Sequence, residues 1–265
     1  MKFIEKTLEG KKVLITGAGS GIGRASALML AKAGAQLVLV GRTTDELYEV
    51  LKEIGGDSVR HLVISADVAN EIEMIACYKG ISKHWESLDG VVANAGVNGV
   101  WASLEELNVD EWDQTLGINL RGTFLTVKYA LPFLKQKGGS VIVVSSVNGN
   151  RMFSNSGATA YACSKAGQVA FAKMTALELA KDRIRVNVVC PGAIQTKIDD
   201  STEKRGTEDL HLPVEFPDGD VPLTQGKPGS AEDVARLVWF LTSDASSHIS
   251  GTEIYIDGAQ SLLQG

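Results

Sequence analysis

Tyr161 and Lys165 stand four positions apart in YACSKAGQVAFAKMTALELA, a stretch whose alanines and leucines suit a helix packed on a core. Residues at i and i+4 share a helix face, so the phenol and the ammonium are neighbours. A tyrosine ordinarily loses its proton near pH 10, and a nearby cation favours the phenolate. The pair therefore reads as a proton donor and acceptor tuned toward the working pH. Taken alone it is equally a surface pair. Ser145 and Ser146, at a strand end, and Asn119, inside a helix, are likewise ordinary by themselves.

A second set lies near the start. TGAGSGIG, Thr16 to Gly23, follows the apolar run VLIT and opens a helical stretch from about Ile22 to Ala33. Glycines let backbone turn tightly and approach a phosphate closely. The following helix offers free N–H groups and the positive end of its dipole to an anion. In this strand–loop–helix setting the pattern points to a dinucleotide. The second strand, LVLVG, ends in Gly41 where an NAD site usually carries Asp or Glu, roughly 20 residues beyond the glycines. Arg42 follows, and a guanidinium can bond a 2′-phosphate in two places, with Thr43 adding a hydroxyl. NADP(H) is thus favoured over NAD(H). Asp45 and Glu46 read as first-turn helix residues, and Thr43 with Glu46 as a capping box.

These residues need a scaffold. The chain has 265 residues, 44% hydrophobic and 22% charged, enough apolar material for one large domain. Apolar runs at 13, 36, 61, 88, 140, 183 and 253 alternate with helix-length segments, including about 70–86, 110–136 with Pro132 near its close, and 159–182. Near-continuous apolar strands suit a parallel sheet buried on both faces, and the alternation predicts a doubly wound α/β sheet of about seven strands. No internal repeat or linker divides it. Residues 195–227 break the pattern: polar, mostly acidic, with Pro213, Pro217, Pro222 and Gly226, they read as a lid.

The formal net charge of -6 and the lack of a basic run argue against nucleic acid. No apolar run is long enough to span a membrane, and MKFIEKTLEGKK lacks the apolar region of a secretory signal. Cys77, Cys163 and Cys190 are scattered, with no metal or disulfide pattern, which suits a reducing, cytoplasmic setting. Cys163 reads as a small buried filler. The four histidines, His61, His84, His211 and His248, read as structural or surface groups, and no metal site is expected.

Together these motifs resemble the short-chain dehydrogenase/reductase family over about Lys11 to Gly258. TGAGSGIG is similar to its TGxxxGIG, ADV at 66 to its adenine contact, NAG at 94 to a cofactor-wall motif, and GINLRG to its helical asparagine. SS at 145, YACSK at 161 and PGAIQT at 191 complete the series. The resemblance implies hydride transfer between a nicotinamide cofactor and a carbonyl or secondary alcohol, with Tyr161 as acid or base. It implies that Lys165 also bonds the nicotinamide ribose, that Ser146 bonds the substrate oxygen, and that Asn119 holds a water in a proton relay. Cofactor contacts are implied for Gly17, Ser20, Gly21, Ile22, Gly23, Arg42, Thr43, Asp67, Val68, Asn94, Ala95, Gly96, Tyr161, Lys165, Pro191, Gly192, Ile194 and Thr196.

Ala93 and Ala259 depart from the family pattern, and the loop from Ser146 to Tyr161 is slightly long, which brings Ser145 and Asn148 within reach of the site. Asn98, Trp101, Met152, Phe153 and Phe216 are candidates for the substrate pocket. Acyl-carrier thioesters, sugars or polyols, and hydrophobic ketones all stay open as substrates. A non-catalytic dinucleotide sensor, an NAD-linked dehydrogenase, and an epimerase or dehydratase on the same fold are the alternatives. Members of the family are commonly dimers or tetramers, so a homotetramer is expected.

Overall fold

The computed structural model describes residues 6–56, 60–196, 198–210 and 221–264. The strands and helices run β1 (Lys12–Thr16), α1 (Gly21–Lys32), β2 (Gln36–Gly41), α2 (Thr44–Glu53), β3 (Leu62–Ser65), α3 (Glu71–Ile81), β4 (Gly90–Ala93), β5 (Gly99–Trp101) and α4 (Val109–Leu116). They continue through α5 (Gly122–Leu134), β6 (Gly139–Val144), α6 (Thr159–Leu179), β7 (Ile184–Pro191), β8 (Ile194–Gln195), β9 (Thr202–Lys204), β10 (Gly229–Ser230), α7 (Ala231–Thr242), β11 (Glu253–Ile256) and α8 (Gln260–Gln264).

Seven strands form one parallel sheet in the order β11-β7-β6-β4-β1-β2-β3. Alternate residues of a strand face opposite sides. Leu14, Val38 and Val40 accordingly join one buried cluster with residues of α3, α5 and α6. Val13, Ile15, Leu37 and Leu39 join a second, with residues of α1, α2 and α7. Burial on both faces explains why these strands read as continuous apolar runs. The chain winds outward through β1, β2 and β3, then returns to lay β4 on the other side of β1. Loops diverge at that reversal and leave a crevice at the strands' carboxyl ends.

Several local expectations change. The segment expected as one helix over 110–136 is α4, a π-helical turn at Gly117–Arg121, and α5. Pro132 lies inside the last turn of α5, two residues before its end at Leu134. The helix expected over 70–86 stops at Ile81. Thr43 does occupy the N-cap of α2, but its side chain makes no capping bond. Glu46 instead turns toward Gly19, where an added Cβ would meet its Oε2 at 2.9 Å. Cys163 is exposed, not a buried filler, because its position on α6 faces outward. Ala259 adopts φ +70, the left-handed conformation the family's glycine would take without a Cβ penalty.

Part of the 195–227 segment is built structure. β9 pairs in parallel with β5, Gly99 opposite Thr202 and Trp101 opposite Lys204. Asn98 adds bonds from its backbone N to Ser201 Oγ, 3.0 Å, and from its Nδ2 to Thr202 Oγ1, 2.7 Å. Arg205 then clamps Glu111 with two bonds of 3.0 and 2.8 Å and donates to Glu106 O. Pro213, Phe216, Pro217, His211 and Lys197 lie outside the described residues. Arg205→Ala should leave global stability nearly unchanged, since the pair is solvated, but should free the strap. Limited proteolysis should then cut within 198–210 several times faster than in the wild type; an unchanged cleavage rate would show that the clamp does not hold it.

Candidate active site

The seam between β1 and β4 carries the glycine loop. Thr16 Oγ1 accepts from the backbone N–H groups of Asn94 and Ala95, both at 3.1 Å. Asn94 Nδ2 returns bonds to Thr16 O and Gly17 O. A Cβ on Gly23 would stand 2.0 Å from Gly17 O, and Gly17 itself has φ +64. Only glycine allows α1 to begin that close to the strand end. The loop and the helix start form a cradle of backbone N–H groups of the kind that suits a phosphate.

Two clefts open from this seam. One is lined by Gly17, Ser20, Arg42, Thr43, Asp67, Val68, Ala95 and Gly96. The other, a cavity of about 470 Å³, is lined by Ile22, Asn94, Gly96, Ser146, Tyr161, Lys165, Pro191, Gly192, Ile194 and Thr196. Gly96 belongs to both. Gly21, Gly23 and Asn119 line neither; they shape the walls from behind. Arg42 is exposed and makes no ion pair among the described residues. Glu46, a first-turn residue of α2, also lines the first cleft.

In the second cavity α6 supplies Tyr161 and Lys165, 8% and 3% exposed. Lys165 Nζ donates to Val144 O at 3.1 Å and lies 5.5 Å from the Tyr161 ring centroid. Burial pulls Lys165 down to about 8. Burial likewise raises Tyr161, the nearby Ser146 hydroxyl opposes the rise, and the charge of Asp199 adds to it. A phenol lowered by Lys165 is therefore not what the chain shows by itself. Both groups are desolvated, and the ammonium is directed at a carbonyl. Ser146 lines the cavity with Tyr161, its Oγ accepting from Asn148 N at 3.2 Å. Ser145 is turned away, its Oγ donating to Lys165 O at 2.9 Å.

Asn119 sits fully buried in the π turn, a feature frequent at functional sites. Its amide exchanges two 2.9 Å bonds with Val97 backbone and gives a third to Ser164 of α6. Its carbonyl accepts from Thr123 Oγ1 and Gln168 Nε2. A Cβ on Gly96 would lie 3.1 Å from Asn119 Oδ1 and 3.5 Å from Lys165 Nζ, so this glycine lets both side chains close in.

Of the pocket candidates, Asn98, Trp101 and Met152 line the cavity. Phe153, 70% exposed, lines an outer groove with Cys163 instead, because its loop turns it away from the seam. Phe216 lies outside the described residues. Asn155, Gln195, Asp199 and Gln260 were missed. Asn155 comes from a loop, Asp199 from a short 3-10 turn, Gln195 from the two-residue β8 and Gln260 from the first position of α8, all too short for periodicity to signal their direction.

Residues 17–259 match the family model described as enoyl-(acyl carrier protein) reductase. The chain belongs to the short-chain dehydrogenase/reductase family. As a member it is an oxidoreductase acting on CH–OH groups. A solved 3-ketoacyl-ACP reductase from Sinorhizobium meliloti 1021 is 51% identical, with a TM-score of 0.90 over 95% of this chain and 99% of that one. The 3-oxoacyl-acyl-carrier-protein reductase FabG of Thermotoga maritima is 35% identical over 95% of this chain and 98% of its own length. A 3-ketoacyl-(acyl-carrier-protein) reductase from Brucella melitensis, solved in complex with NADH, is 30% identical, with a TM-score of 0.83 over 96% and 99%.

The buried ammonium makes a testable demand on stability. Lys165 is depressed from 10.5 to about 8 in the folded chain. Its charge therefore opposes folding fully below about pH 8, and the penalty fades as pH rises toward the unfolded value. Lys165→Met should gain on the wild type by about 2 kcal/mol more at pH 7 than at pH 10. Urea denaturation of both proteins at the two pH values measures this, and a pH-independent difference would contradict it.

Proposed function

We propose that this chain transfers a hydride between NADP(H) and a carbonyl or secondary alcohol, with Tyr161 as acid and base. The observation that carries the proposal is that Tyr161, Ser146 and buried Lys165 line one cavity, which shares Gly96 with the Arg42 cleft. A bound nicotinamide supplies or accepts the hydride. In reduction the carbonyl carbon gains that hydride and the oxygen gains the Tyr161 proton, leaving a secondary alcohol. Ser146 holds the oxygen and stabilises its developing charge. A substrate and cofactor that close the cavity also exclude water, which strengthens the effect of Lys165 on the phenolate. Lys165 also reaches the nicotinamide ribose. Asn119 fixes the Val97 turn against α6, and a water beside it links Lys165 to solvent.

Gly17, Ser20 and the start of α1, with Ile22, cradle the pyrophosphate; Asp67 and Val68 flank the adenine; Asn94, Ala95, Pro191, Gly192, Ile194 and Thr196 hold the nicotinamide end. Arg42 and Thr43 bind the 2′-phosphate. A second reading, NAD(H), is favoured by Glu46, whose carboxylate in the same cleft opposes a phosphate. Paired fluorescence titrations with NADPH and NADH separate the two. Tighter NADPH binding that falls at least tenfold in Arg42→Ala supports the first reading, while NADH preference supports the second. Tyr161→Phe should abolish turnover and leave those titrations nearly unchanged; retained wild-type activity would refute the role of the phenol.

The chain acts as one catalytic domain, cytoplasmic, with 195–227 as the lid. A homotetramer is proposed on the exposure of Phe124, Met174 and Leu177, 43%, 75% and 84%, on α5 and α6. Light scattering should find four copies at micromolar concentration, and a monomer alone would reject the proposal.

A further inference from the structure

The substrate end of the cavity is polar beyond what hydride transfer requires. Asn148 is 6% exposed and lines the cavity beside Ser146. Its Oδ1 meets Ser146 Oγ at 3.4 Å, and its backbone N donates to that Oγ at 3.2 Å. Its side-chain nitrogen has no hydrogen-bond partner among the described residues. That nitrogen is a donor which a cavity occupant can engage.

Two further amides line the same cavity. Asn98 commits its Nδ2 to Thr202 Oγ1 and leaves Oδ1 without a protein donor among the described residues. Asn155, on the loop before α6, has no side-chain bond among them. Asp199 adds an acceptor. The set thus offers donors and acceptors together, and a hydroxyl is the group that uses both. An apolar ketone would strip water from these amides and gain contact only with Trp101 and Met152 beside them. An anionic acyl carrier meets a like-charged strap: Ile198–Leu210 carries Asp199, Asp200, Glu203, Glu208 and Asp209 against Lys204 and Arg205, and Arg205 is committed to Glu111. The cavity, about 470 Å³, must admit the nicotinamide as well as the substrate.

We propose that the substrate is a small ketone hydroxylated beside its carbonyl, a ketose or the corresponding polyol, held by Asn148, Asn155 and Asn98. This rests on Tyr161 and Lys165 marking the reacting centre. The test compares kcat/KM for ribulose, 2-pentanone and acetoacetyl-CoA with saturating reduced cofactor. Calorimetry of the protein with oxidised cofactor, titrated with ribitol or 2-pentanol, reads binding separately.

The expected result is a ribulose preference of about 100-fold over 2-pentanone, with ribitol bound more tightly than 2-pentanol. Asn148→Ala should reduce the ribulose-to-2-pentanone ratio roughly tenfold, and Asn155→Ala, on a loop, by a similar factor. Preference for 2-pentanone or acetoacetyl-CoA would overturn the hydroxylated class and leave hydride transfer standing. Ribitol binding without turnover of any probe would keep the polyhydroxyl site and overturn the Tyr161 mechanism. Neither binding nor turnover would overturn both.

Discussion

The closeness of backbone at the β1–β4 seam constrains everything built around it. With a Cβ on Gly23 falling 2.0 Å from Gly17 O, the start of α1 can sit where it does only because that side chain is missing. Asn94 and Ala95 then lock the two strand ends together with four bonds, all donated to Thr16 and Gly17. Once that register is set, Gly41 and Arg42 at the end of β2 face one side of the crevice, and the elements following β6 and β7 face the other. The chemistry is thus arranged by strand ends, while the helices supply the burial that keeps the strands in place.

The charged centre follows a different logic. Lys165 is held almost out of water by α6, with one carbonyl as its partner, and Tyr161 one turn away is nearly as buried. Burial drives both toward their neutral forms. An ammonium kept near the edge of its charged range responds to what arrives beside it, so the same two side chains can serve a reduction or an oxidation. The Ser146 hydroxyl is the local counterweight, since it favours the phenolate that burial disfavours.

Specificity is built from less regular material. Asn148 and Asn155 come from the long loop before α6, Asn98 from the turn after β4, and Asp199 from the strap tied down by β9 and Arg205. None of these belongs to the seven-stranded sheet, and among them only Asn148 bonds to the reacting centre, through Ser146. That separation lets one fold direct the same proton and hydride chemistry to different substrates.

Much of the scaffold was legible in the residue order. Apolar runs buried on both faces announce parallel strands, and a glycine loop between strand and helix announces the phosphate end, because both arise from neighbours in sequence. Tyr161 and Lys165 share a face for the same reason. What lies far apart in the chain was not legible. Whether Ser145 or Ser146 turns inward depends on the backbone of α6, which takes the Ser145 hydroxyl through Lys165 O. The π turn that buries Asn119, the outward turn of Cys163 and Phe153, and the approach of Glu46 to Gly19 likewise depend on packing between distant segments. The sign of the Tyr161 shift is the clearest case: a neighbouring cation can be read from i and i+4 spacing, but desolvation is a property of the closed fold. Sequence by itself determined which groups exist and which helix face they share; the tertiary structure decided how much water each one keeps, and that sets their charge.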